Sequence, residues 1–128
     1  MSEVQAYKKA IDHIKSKLVA KLGERINSII LYGSAARGEY QPWESDIDIL
    51  VIVSNEDKGL QGAISQIIGD IDLENATCTS LICFSEANFK RYLEWGSPFL
   101  ENVIEEGVVL YDDGTFEQVR RGLVEASR

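Results

Sequence analysis

Residues 28–53 read SIILYGSAARGEYQPWESDIDILVIV. Residues 27–32 (NSIILY) are short, apolar and β-branched, which predicts a buried strand. That strand runs straight into Gly33-Ser34-Ala35-Ala36-Arg37-Gly38, where two glycines bracket a single helical turn. Residues 39–45 (EYQPWES) break any period at Pro42 and predict a loop. Residues 46–53 (DIDILVIV) alternate carboxylate and isoleucine, then become wholly apolar. This is the pattern of a strand whose start faces a polar site and whose remainder is buried.

Upstream, Val4, Tyr7, Ile11, Ile14, Leu18 and Leu22 recur at helical spacing, and Gly23 stops that helix. Downstream, Leu60, Ile64, Ile67 and Ile68 mark a helix over about residues 55–70, and residues 77–83 (TCTSLIC) a third strand. Ser85 caps a helix through Trp95, with Phe89, Leu93 and Tyr92 facing inward. Ser97-Pro98 opens another helix, which Gly107 closes. Residues 108–111 form a short fourth strand, and a C-terminal helix follows Gly114. The order predicts an α/β (α+β) domain, a small mixed sheet flanked by helices in two or three layers. Residues 1–128 are expected to form that one domain.

In an extended strand, residues i and i+2 share a face, so Asp46 and Asp48 project together. Neighbouring carboxylates raise each other's pKa unless a cation lies between them. A divalent ion resolves the conflict, and hard oxygen ligands suit Mg²⁺ or Mn²⁺. Gly33 permits a positive φ and close approach of a ligand to the backbone. The turn after it offers N–H groups and the Ser34 hydroxyl to a phosphate, and Arg37 adds a fork suited to phosphate oxygens. A phosphate cradle beside metal-binding carboxylates is the minimum for metal-assisted phosphoryl or nucleotidyl transfer. Each piece alone has an ordinary reading as turn, strand end or surface charge; the combination points to chemistry.

The charge balance supports a soluble, acidic protein. Thirteen Lys and Arg against 21 Asp and Glu give a net charge of −8, which argues against binding duplex DNA. No run approaches the roughly 20 apolar residues of a membrane span, and the first residues lack a signal-peptide core. Cys78 and Cys83 read as buried free thiols of a reducing cytoplasm rather than a disulfide. With one His and no CxxC, zinc is not expected. His13 reads as a partly exposed helix residue, and Trp95 as internal packing. Glu105-Glu106 and Asp112-Asp113 read as solvated pairs. Trp43 either stacks on a base or covers the core edge.

Gly33 through Gly38 together with Ser45 through Val51 resembles the signature of the polymerase-beta-type nucleotidyltransferase superfamily. It is closest to the minimal nucleotidyltransferases of prokaryotes. Residues 97–111 (SPFLENVIEEGVVLY) are similar to the tail of such domains. The resemblance implies that Gly33 and Ser34 hold a nucleoside triphosphate, ATP foremost. It further implies that Asp46 and Asp48 are catalytic and bind two Mg²⁺ ions, with Arg37 near the phosphates and Ser45 helping to shape the nucleotide site. It also implies transfer of AMP to an acceptor hydroxyl, and an all-helical partner of the HEPN type in a toxin–antitoxin pair. In such pairs the nucleotidyltransferase is the antitoxin and can modify its partner.

One departure stands out. The family's third carboxylate lies on the next strand, where residues 77–83 hold no acid; Thr79 or Ser80 takes its place. Asp72 and Glu74 could serve only if that strand began earlier. Two other readings therefore stand beside the enzyme. One is a nucleotide-binding, partner-neutralising subunit without transfer activity. The other is an aminoglycoside-type transferase whose site is completed in a homo-oligomer.

Overall fold

The computed structural model describes residues 2–39 and 46–126, the last three by backbone alone. Ser2 caps α1 (Glu3–Leu22) in a reciprocal capping box with Gln5, and the 3-10 turn Gly23–Arg25 leads into β1 (Ile26–Tyr32). The single turn α2 (Gly33–Ala36) follows, then β2 (Ile47–Val53) and α3 (Lys58–Asn75). After β3 (Thr79–Ser85) come α4 (Glu86–Glu94), α5 (Pro98–Glu106), β4 (Val108–Asp112) and α6 (Thr115–Ala126).

The four strands lie in the order β3-β2-β1-β4. β1 pairs antiparallel with β2 and β4, while β2 and β3 run parallel across the α3 crossover. The period of two in β2 divides the core. Ile47, Ile49, Val51 and Val53 pack toward Tyr7, Ile11, Ile14 and Leu18 of α1 and Leu60, Ile64 and Ile71 of α3. Leu50 and Ile52 face the other way, onto Phe89, Leu100, Val103, Ile104 and Phe116 of α4, α5 and α6. The result is three layers. Each fully buried aliphatic or aromatic side chain contributes about 1.5–3 kcal/mol through removal from water. No helix among the described residues is long and apolar enough to cross a membrane.

The predicted elements all form, with shifts at their ends that have local causes. α3 runs to Asn75 instead of Asp70, because Ile71 and Asn75 continue its buried face and the Asn75 amide donates to the Ile71 carbonyl at 2.8 Å. β3 starts at Thr79 instead of Thr77. The Thr77 hydroxyl and both the N–H and hydroxyl of Thr79 donate to the Asp72 carboxylate at 2.8–2.9 Å, fixing a turn there. Val4 is exposed despite its helical phase, since it lies one residue into α1.

Several side chains depart from their sequence readings. Cys78 is exposed, because it sits in the turn before β3; both cysteines are free. Trp95 is 71 % exposed instead of internal. It ends α4, past the buried turn around Phe89, and meets Tyr92 edge-on at 5.5 Å. Asp112 and Asp113 are bonded rather than merely solvated. Asp112 accepts from Ser28 Oγ at 2.7 Å and from two N–H groups of α6, and Asp113 accepts from Asn27 and Thr115. His13 is half-buried, as expected of a helix-flank residue.

Candidate active site

Strand pairing assembles the site at one end of the sheet. The antiparallel register sets Tyr32 opposite Asp48, so the turn at Gly33 lies against the start of β2. Gly33 has φ +72°, in the left-handed region. A methyl group there would overlap Asp48 Oδ2 and come within 3.2 Å of its Cγ. Glycine is thus required twice, once for its backbone angle and once for the space that the carboxylate fills.

Asp46 precedes β2 and is exposed, whereas Asp48 within it is half-buried. The Ile47 N–H donates to the Cys78 carbonyl at 2.9 Å, extending the parallel ladder and fixing the strand end that carries both aspartates. Asp48 shares the sheet face of Leu50 and Ile52 by strand alternation, and Asp46, one residue before the strand, lies close enough for its charge to act on Asp48. Burial raises the Asp48 pKa, the Asp46 charge raises it further, and Arg37 opposes both. A cation beside Asp48 would offset both effects that oppose its ionised form.

Three residues that sequence reading assigned to packing also face the site. Tyr7 of α1 is buried, and its phenol is pushed up first by burial and then by Asp46. The Cys78 thiol hydrogen-bonds with Asp46 and is likewise raised, burial leading. Tyr32 is pushed up to about 12 by burial and by Asp48, so at neutral pH it is a neutral phenol. Its ring meets Phe99 of α5 edge-on at 5.3 Å. No local pattern distinguishes these aromatics from core residues, because it is the sheet register and the placement of α1 and α5 that bring them here.

On the α2 turn, Ser34 is half-buried and its carbonyl accepts from Glu39 N–H at 2.9 Å. The first N–H groups of any helix lack intrahelical partners, as the phosphate reading of this turn requires. Arg37 Nε donates to Glu39 and Nη1 to Glu106, each at 3.1 Å. Glu106, read as a merely solvated acid, is in fact paired across 69 residues of sequence. Ser45 and Trp43 lie outside the described residues.

The register β2–β3 settles the third position. Ser80 stands beside Asp48 and Thr79 beside Ile47. Asp72 is turned away into its three hydrogen bonds at the start of β3, and exposed Glu74 pairs with Lys17 at 3.8 Å. Neither completes the aspartate pair. Among the described residues no group of three or more His, Cys, Asp or Glu is placed to hold a metal ion. The donor set is two carboxylates at the entry to a strand, Asp48 within it and Asp46 one residue before it, an all-oxygen set whose chemistry fits a hard divalent cation with further oxygens from its ligand.

Comparison with known proteins places the chain in a family. The nucleotidyltransferase domain model matches residues 11–111, and the chain belongs to that family. A candidate protein adenylyltransferase of Methanocaldococcus jannaschii is 37% identical over 123 residues, spanning 87% of this chain and all of the relative. Among solved structures, a toxin–antitoxin complex with AMP-PNP aligns with a TM-score of 0.57 at 20% identity, over 90% of this chain and 87% of the other. A nucleotidyltransferase candidate from Sulfolobus solfataricus aligns at 0.52 and 16% identity, over 88% and 89%. The MntA-HepT toxin–antitoxin pair aligns at 0.51 and 18%, over 92% and 87%. These structural matches establish the fold. The family match and the curated relative make the chain a nucleotidyltransferase.

Proposed function

We propose that this nucleotidyltransferase transfers AMP from ATP to a hydroxyl group of a partner protein, with Asp46 and Asp48 as its catalytic metal ligands. The observation that carries the reading is the packing of Asp48 against Gly33, which joins the carboxylates to the turn that receives phosphate. In the reaction the acceptor oxygen forms a bond to the α-phosphorus and the bond to the β-phosphate breaks. Pyrophosphate leaves and the hydroxyl proton is released. Asp46 and Asp48 would hold Mg²⁺ or Mn²⁺, two ions being the number we favour. When bound, the metal lowers the pKa of the attacking hydroxyl and neutralises charge on the leaving pyrophosphate. Gly33 and Ser34 position the triphosphate and Arg37 binds its oxygens, with Ser45 a further nucleotide-binding residue by the sequence resemblance. Tyr32, held neutral beside Asp48, does not act as a base.

For the acceptor, the curated relative is named for protein adenylylation, and the aligned solved structures include a toxin–antitoxin complex. Those names support a toxin partner and an antitoxin role for this chain; a helical, HEPN-type partner and a single cytoplasmic domain are what the sequence resemblance implies. Free Cys78 and Cys83 suit that reducing compartment. A second reading, binding without transfer, is favoured by Ser80 in place of a third carboxylate.

The deciding experiment incubates the protein with Mg²⁺ and α-labelled ATP, with and without the neighbouring gene's product. We expect label on the partner, and its loss in the D46N/D48N double variant. ATP binding with no transfer under any condition would instead establish the binding subunit.

A further inference from the structure

Arg37 is the one cation at the phosphate turn among the described residues, yet its own position is set from elsewhere. The α2 turn that carries it is a single helical turn, and its side chain is exposed. A guanidinium on a short turn loses rotamer freedom when it engages phosphate, which weakens binding unless it is held beforehand. Two carboxylates hold it. Glu39 takes Nε and Glu106 takes Nη1, both at 3.1 Å. A guanidinium has five N–H donors in one plane, so two such bonds fix that plane and leave the Nη2 edge for a ligand.

Glu39 lies two residues away on the same turn and moves with it. Glu106 does not. It ends α5, and the residue after it is clamped on three sides. Gly107 N–H donates to Val103 O at 2.7 Å, and its carbonyl accepts from Arg120 Nη2 of α6 at 2.7 Å. A Cβ on Gly107 would come within 2.7 Å of Ile30 Cγ2 on β1. Arg120 is itself stacked over the Phe116 ring, 4.7 Å from its centroid. The backbone from which the Glu106 side chain springs is thus held against the sheet and α6 through Gly107.

From this linkage we infer that Glu106 is a positioning residue for Arg37, presenting the guanidinium to the triphosphate from an anchor that α5, α6 and β1 hold fixed. The inference rests on the reading of Arg37 as a phosphate ligand, and the test separates the two. Because exposed ion pairs are individually weak, the expected effect is about two- to fivefold.

Affinity for a non-hydrolysable ATP analogue with Mg²⁺ is measured by calorimetry on the full chain and its variants. R37A is expected to weaken binding at least tenfold, E106A two- to fivefold, and E106Q, which keeps an oxygen acceptor, hardly at all. In the R37A background, E106A should have no further effect, since its influence passes through Arg37. In turnover, E106A should raise KM for ATP and leave kcat near its starting value.

Tighter binding in E106A would overturn the inference and make Glu106 a competing anion. Equal weakening by E106A with and without Arg37 would overturn it as well. R37A without effect would remove the underlying reading of the phosphate site, whatever Glu106 does.

Discussion

At the scale of single residues, function is set against stability at Asp48. The carboxylate is half-buried beside Asp46, and its folded pKa lies above its ordinary 3.8. The unfolded chain therefore releases that proton more readily than the fold does. Its contribution to stability is complete below the unfolded pKa and is lost as pH rises through the folded one. At pH 7 the ionised group opposes folding unless a cation is bound. In chelator at pH 7, D48N should melt a few degrees above the unchanged protein, and the gap should narrow as pH falls toward 4. Added Mg²⁺ should raise the melting temperature of the unchanged protein and much less that of D48N. A lower melting point for D48N in chelator would contradict this account.

At the scale of elements, the turn from α3 into β3 decides what stands beside the aspartates. Asp72 accepts three hydrogen bonds from Thr77 and Thr79, and this sets Thr79 as the first residue of the strand and Ser80 as the neighbour of Asp48. Removing a carboxylate that satisfies several donors costs roughly 2–3 kcal/mol. D72A should lower the unfolding free energy by that amount, read as a lower urea midpoint with an unchanged slope. Its Mg²⁺-induced rise in melting temperature should survive. Loss of the Mg²⁺ effect in D72A alone would mean that Asp72 ligates metal after all. Local pattern could not have assigned this role, because an acid at the end of an amphipathic helix reads the same whether it caps a turn or faces a site.

At the scale of the whole molecule, the site depends on the layer behind it. Phe116 is fully buried among Leu50, Ile52 and Phe89, its ring 6.3 Å from that of Phe89, and Arg120 crosses its other side. Truncating such a ring leaves a cavity and costs about 3–5 kcal/mol. F116A should lose that much in chemical denaturation, and F116L distinctly less. Nucleotide affinity in F116A, measured where the variant is still folded, should fall with the Arg120–Gly107–Glu106 chain that ends at Arg37. Unchanged stability in F116A would show that α6 contributes little to the second core layer.

Periodicity and turn chemistry are local properties, so the sequence alone determined which segments become helix or strand and that Asp46 and Asp48 stand at the entry to β2. It also determined that Gly33-Ser34 ends a buried strand, and with it the class of chemistry. Which residues meet that entry is a matter of long-range pairing, and only the tertiary structure decided it. Tyr7, Cys78, Ser80 and Glu106 reach the site from four separate elements or turns, through strand register and helix packing. Contacts across tens of residues leave no period in the chain. A glutamate that holds an arginine and one that only meets water are the same letter until the fold closes around them.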